Sequence, residues 1–301
     1  MEHVSPDANE MRIRGLPCWT GPITVQLLRG GLSNQNFLVT DPSGGHVVRF
    51  GIDYPFHHVS RERELMSARA AHACGFAPRV EYAQPGVTVT TYLGAKTFDA
   101  ADVRANCSRV AQLLREFHTE MPKQVTGAGY IFWVFHVVRD YARALIEGKS
   151  RLAGEVPSYL ELAAELEDAQ YPMPIVFGHH DLLPANFLDD GKRLWLIDFE
   201  YAGFGTAMFD LANVASNAGM SADETREFLD AYFAYPADDT LLRAHAAMQC
   251  ASLLREVMWA LVSELHLDTP GVDYAAYADD NIARLRVALA TYQKNYGKTS
   301  S

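Results

Sequence analysis

Apolar and polar positions alternate at two different periods along the chain. Between Ile23 and Leu93 the apolar runs are short and β-rich. Ile23–Leu28, Asn36–Thr40 and Val47–Phe50 read as three antiparallel strands joined by turns at Gly30 to Asn34 and Asp41 to Gly45, and Val87–Leu93 forms another such run before Gly94. A helix from Arg61 to Cys74 interrupts them, with Gly75 and Pro78 as its stop signal. The residues through about Asn9 read as a frayed leader. Beyond Gly94 the period becomes helical. Val103–His118 carries Val103, Val110, Leu113, Leu114 and Phe117 on one face, and Tyr130–Ile146, Tyr159–Leu166, Glu224–Phe233, Leu241–Leu265 and Tyr274–Tyr292 follow the same rule. Glu147 to Pro157, charged and holding Gly and Pro, reads as a joint. The expectation is an α+β chain, with a small antiparallel-sheet lobe over residues 1–94 and a larger, mainly helical lobe over 95–301.

One stretch departs from both periods. An apolar run at Val176-Phe177 enters a polar loop holding His179, His180, Asp181 and Asn186. A second run, Leu194 to Ile197, then ends on Asp198, with Asp189-Asp190-Gly191 as a hairpin turn. Asp and Asn are common turn residues, and one such loop is usually structural. Two linked loops that bring three oxygen-bearing side chains together point instead to phosphoryl transfer. That chemistry needs a carboxylate to orient and deprotonate a hydroxyl, and hard oxygen ligands for Mg²⁺. Asp181 suits the first task, Asn186 and Asp198 the second. Adjacent residues of an extended segment point to opposite faces, so His179 and His180 cannot readily share a zinc ion; His179 reads as a packed residue that braces the loop.

Composition narrows the partners. About half of the 301 residues are hydrophobic, enough for a large core, and the formal charge of −11 disfavours nucleic acid or an anionic membrane while suiting a cationic substrate. Cys18, Cys74, Cys107 and Cys250 are widely spaced and make no C-x-x-C pair, so reduced thiols are expected. Met1 to Arg14 has no apolar core segment and no run nears about 18 apolar residues, which leads to the expectation of a cytoplasmic protein without a membrane span. The oligomeric state is not legible.

From Gly178 to Asn217 the chain resembles the choline/ethanolamine kinase branch of the aminoglycoside phosphotransferase group. The loop of that branch reads roughly His-Asn-Asp-Leu-x-x-x-Asn, followed by Leu-Ile-Asp-Phe-Glu-Tyr. Asp181, Asn186 and Asp198 match; His180 stands where the family usually has Asn. The resemblance implies a bilobal protein-kinase-like fold using ATP and Mg²⁺. It implies that Arg49 steadies phosphate and pairs with Glu64, that Ser33 and Asn34 in the glycine turn lie over the phosphates, and that Tyr92 and Leu93 offer hinge backbone to adenine. Phe117 replaces the second Leu of a Leu-x-x-Leu-His helix whose His118 is a packed or capping residue, and Asp210 is expected to cap its helix or brace the catalytic loop.

For the acceptor the resemblance implies a small cationic alcohol. A quaternary ammonium needs several convergent aromatic faces, since one cation–π contact gives only about 0.5 to 2 kcal/mol. Tyr201, Phe204, Trp259, Tyr274 and Tyr277 are available, although Trp259 sits where a core residue is expected. Asn217-Ala218 stands where eukaryotic choline kinases carry a Glu-Trp pair at the choline site. Ethanolamine, thiamine and other amino alcohols therefore stay open beside choline. An aminoglycoside kinase and a non-catalytic nucleotide-binding module are the alternatives.

Overall fold

In the computed structural model, residues 6–28, 35–269 and 271–297 are described. The first lobe is a five-stranded antiparallel sheet of β1 (Thr24–Leu28), β2 (Gln35–Asp41), β3 (Gly44–Phe50), β4 (Val80–Gln84) and β5 (Val87–Thr91), in the spatial order β1-β2-β3-β5-β4. Alternation places Phe37, Val39, Val48, Val87 and Val89 on one buried face. Against them pack Ile13, buried completely, and Leu16. The expected leader is therefore wrong from Pro6 onward: Pro6–Arg14 is helix α1, and its single well-buried apolar side chain, Ile13, is too little for a periodic signal. The strand β4 was missed for a similar reason, because Val-Glu-Tyr-Ala-Gln keeps no fully buried position. The turn Gly30 to Asn34 lies outside the described residues.

Helix α2 (Arg61–Ala73) begins at Ser60, whose hydroxyl accepts from the Arg63 N–H, and gives way to Gly75 in the left-handed region at φ +82°. It lies between strands in sequence but not in packing. Ala70, Ala71, Phe76 and Ala77 belong to the core of the helical lobe, so this helix fastens the sheet to the larger lobe.

The helical lobe keeps the predicted elements with shifted ends. The helix expected over Val103–His118 is broken at Asn106 into α3 (Ala100–Ala105), opened by a capping box of Asp99 and Asp102, and α4 (Cys107–Glu120). Helix α5 (Val134–Glu147) starts four residues later than expected, because Phe132 N–H donates to the Phe204 carbonyl and Phe204 N–H to the Tyr130 carbonyl, each at 2.7 Å, which holds that segment extended. The joint shrinks to a 3-10 turn at Ala153–Glu155, since Pro157 fits the first turn of α6 (Val156–Asp168).

Strand β6 (Lys96–Thr97) pairs with β8 (Phe187–Asp189), and β8 with β9 (Leu194–Leu196) across the hairpin at Gly191. Strand β7 (Ile175–Gly178) pairs with β10 (Gly203–Thr206). Helices α7 (Ala207–Ala218), α8 (Ala222–Phe233), α9 (Asp239–His266) and α10 (Tyr274–Tyr296) complete the lobe, with α9 buried nearly all round. No helix among the described residues is long and apolar enough to cross a membrane.

Phe117, fully buried on α4, stacks on Phe199 at 6.2 Å and meets Phe76 edge-on at 5.5 Å, joining α4 to both loops around Asp198 and Gly75. Phe117→Ala is expected to cost about 3–5 kcal/mol, and Phe117→Leu, the nearer match in volume, less than about 1.5 kcal/mol. Urea unfolding of the two variants checks the ranking; equal losses would refute the packing role.

Candidate active site

The loop after β7 is set by glycines and one buried carboxylate. His180 adopts φ +63° and lays its ring over the β7–β10 pair, stacked on Phe132 at 4.2 Å. A Cβ at Gly178 would lie 2.4 Å from His180 Nε2, and one at Gly205 would lie 2.7 Å from the Phe132 carbonyl oxygen, so both positions need glycine for close approach. Asp210, completely buried in the first turn of α7, accepts from the N–H groups of His179 and His180 at 2.8 Å each and from His118 Nε2 at 2.9 Å. Of its two expected roles it takes the second: Thr206 caps α7, while Asp210 braces the loop. Burial alone would raise the Asp210 pKa, but the hydrogen bond from His118 and the nearby imidazoles hold it well below the usual range.

Further bonds tie this loop to its surroundings. His179, also fully buried, donates from Nε2 to the Ile197 carbonyl at 2.9 Å, linking it to the segment before Asp198. Leu182 N–H donates to Asn213 Oδ1 at 2.6 Å, and Asn217 Nδ2 donates to the Leu182 carbonyl at 3.4 Å. Asn217 is thus held against the backbone of the loop.

Asn186 Nδ2 donates to the Asp181 carbonyl at 2.7 Å, which leaves Oδ1 as the side-chain atom that could hold a metal, and Ile197 N–H donates to the Asn186 carbonyl at 3.1 Å. Asp198 sits in the left-handed region at φ +70°, an uncommon conformation for a residue with a Cβ and one that recurs where function fixes the backbone. Burial, reinforced by the Asp198 charge, raises the pKa of Asp181 well above the ordinary carboxylate value. No group of three or more His, Cys, Asp or Glu side chains among the described residues is arranged to hold a metal by itself.

Facing these loops is a charge network from the sheet lobe. Arg49 on β3 pairs through Nη1 with Glu64 on α2 at 2.9 Å, and through Nη2 with Asp198 at 2.9 Å and Glu200 at 3.2 Å. Arg61 pairs with Glu64 at 2.6 Å and Glu200 at 3.0 Å. The expected Arg49–Glu64 pair is present, but the same guanidinium also holds Asp198. Glu200, buried and central here, was missed; its signal was a carboxylate two residues beyond Asp198 in Asp-Phe-Glu. At the hinge, Tyr92 N–H donates to the Gly45 carbonyl and the Leu93 carbonyl accepts from Ala95 N–H, leaving the Tyr92 carbonyl and Leu93 N–H for a base. Ser33 and Asn34 lie outside the described residues.

The aromatic side chains converge only in part. Trp259 Nε1 donates to the Tyr201 hydroxyl at 2.9 Å, and its ring stacks on His57 at 5.0 Å and meets Tyr274 and Tyr277 at 6.0 Å each. Phe204 is elsewhere, against Phe177 at 5.2 Å. The group is not an open cation box: Trp259 and Tyr201 are buried, and the Arg255 guanidinium already lies 4.4 Å from the centre of the Tyr201 ring. Sequence reasoning passed over Arg255 and Glu256, although two adjacent charges inside Leu253-Leu254-Arg255-Glu256-Val257-Met258-Trp259 were the available signal.

Residues 24–249 match the family model described as the phosphotransferase enzyme family, three quarters of the chain. The chain belongs to that family. The phosphotransferase is 26% identical over 260 residues to the protein LicA of Haemophilus influenzae, covering 82% of this chain and 75% of that one. It is 26% identical over 209 residues to a probable ethanolamine kinase of Arabidopsis thaliana, covering 63% of this chain and 55% of the relative, so it spans about half the length of that protein. The structure of a choline/ethanolamine kinase family protein from Mesorhizobium loti superposes with a TM-score of 0.79 at 26% identity, over 97% of this chain and 99% of the other. The phosphotransferase therefore has the kinase-like architecture of a small antiparallel sheet beside a helical lobe.

Asp210→Ala leaves three buried donors without an acceptor, and a stability loss of about 3–5 kcal/mol is expected from chemical denaturation. Burial also lowers the pKa of His180 and of His245 on α9 to about 4. Unfolded imidazoles take up protons from about pH 6.5, so these two residues make the fold less stable as pH falls from there toward 4. NMR titration of the imidazoles is the check: both should stay neutral at pH 5, and protonation near 6.5 contradicts their burial.

Proposed function

We propose that the phosphotransferase transfers the γ-phosphoryl group of ATP to the hydroxyl of a small amino alcohol of the ethanolamine and choline class. The observation that carries this reading is the bonded unit of the two loops. Asn186 is tied to the Asp181 backbone, Ile197 to Asn186 and His179 to Ile197, so that Asp181, Asn186 and Asp198 are held as one set opposite Arg49. The family membership and the kinases among the relatives support it.

In this reading Asp181 orients the acceptor hydroxyl and takes its proton. The new bond joins the hydroxyl oxygen to the γ-phosphorus as the bond to the bridging oxygen of ADP breaks. Asn186 Oδ1 and the Asp198 carboxylate would hold Mg²⁺, which when bound offsets the charge of the β- and γ-phosphates. Arg49, paired with Asp198 and Glu200 here, would turn one of its nitrogens to phosphate, while Glu64 keeps the guanidinium in place. The Tyr92 carbonyl and Leu93 N–H receive the base. The raised pKa of Asp181 suits a group that accepts a proton near neutral pH.

Asp181→Ala is expected to lower turnover by roughly 10²-fold or more, the usual scale for a lost general base, with ATP affinity little changed. ADP release measured with Mg²⁺, ATP and an ethanolamine or choline acceptor checks this, and turnover near wild type would sink the assignment.

A further inference from the structure

The core of the helical lobe contains a cation that the reaction described above does not use. Arg255 lies on α9 with only 2% of its surface exposed. Its Nη1 is bonded to Glu256 Oε1, and its plane lies over Tyr201. Nε and Nη2 are buried with no hydrogen-bond partner, and among the described residues no other arginine leaves two guanidinium nitrogens in that state. A buried guanidinium is costly unless its fork of N–H groups is paired, and an edge of two N–H groups matches the two oxygens of a carboxylate. Unpaired donors of this kind point to a missing partner.

The surroundings place that partner on the acceptor. Arg255 is close enough to Asp181 to favour its ionised form, and Tyr201, the residue after Glu200, has the guanidinium 4.4 Å from its ring centre and accepts from Trp259 Nε1 at its hydroxyl. Glu256 Oε2 accepts from Tyr277 at 3.3 Å and its side chain is 14% exposed, which keeps a carboxylate for an ammonium in the same cluster. A quaternary ammonium brought to Tyr201, by contrast, meets a ring whose face already carries a fixed positive charge.

We propose that the natural acceptor is an amino alcohol that also bears a carboxylate, and that the Nε–Nη2 edge of Arg255 receives this carboxylate. The proposal rests on the amino-alcohol reading above and narrows its substrate class to zwitterions. Arg255 is then the residue that selects among amino alcohols, while Asp181 acts on the hydroxyl in every case.

The test uses matched acceptors that differ by the carboxylate: ethanolamine against L-serine, which adds it at the amine-bearing carbon, and choline against L-carnitine, which adds it through a methylene at the hydroxyl-bearing carbon. kcat/KM is measured from Mg-ATP-dependent ADP release with the full chain and with R255Q and R255K. In the wild type the carboxylated member of at least one pair should be favoured roughly 10- to 100-fold, the worth of a charge-assisted hydrogen bond. R255Q should bring the two members together, and R255K should retain part of the preference, because it keeps the charge without the fork. A wild-type preference for ethanolamine and choline over both partners overturns the proposal and leaves the amino-alcohol kinase standing. A preference that survives unchanged in R255Q overturns the role of Arg255. If R255Q does not fold, the wild-type comparison alone decides. ATP binding with no stimulation by any of the four removes both readings together.

Discussion

The buried carboxylate of Asp210 is the constraint on which the catalytic loop depends. With no exposed surface, it is paired with two consecutive backbone N–H groups and one imidazole, and those donors fix where His179 and His180 sit. A buried charge tolerates little displacement, because each lost partner leaves an uncompensated group in a medium that screens poorly. The left-handed turn at His180 is stable only under such pressure, and Asp181 is the next residue along. The position of Asp181 therefore follows from a residue on α7, about thirty positions further along the chain.

A second layer of charge joins the lobes. Arg49 from the sheet and Glu64 from α2 meet Asp198 and Glu200 from the helical lobe, with Arg61 completing the cluster. The five groups hold two positive and three negative charges, so an added cation is electrostatically favoured there. The network also ties the sheet lobe to the helical lobe. In the structure the Asp198 carboxylate is paired with Arg49, which Glu64 holds from its other side.

The acceptor end follows a different rule. The aromatic side chains that a cationic alcohol would seek do gather around Trp259, but they gather as a packed core that also holds the buried Arg255 and the partly buried Glu256. Hydrophobic packing and cation–π attraction use the same rings, and in this chain an internal guanidinium has taken the Tyr201 face. The rings by themselves therefore leave no free face at Tyr201 for a second cation.

By itself the sequence determined the class of fold and singled out the candidate residues for the chemistry proposed above. Asp181, Asn186 and Asp198 were legible because polar loops after apolar runs keep a local spacing, and the two-lobed order was legible because the period changes near Gly94. Elements with few buried apolar residues escaped it: α1 presents Ile13 alone, and β4 has no fully buried position. Tertiary structure alone decided that Asp210 braces instead of capping, that Arg49 reaches Asp198 as well as Glu64, and that Arg255 lies over the Tyr201 ring. Each of those contacts joins residues tens to more than a hundred positions apart. Local pattern fixes which face a side chain lies on, but which distant face it meets is settled only when the cores close.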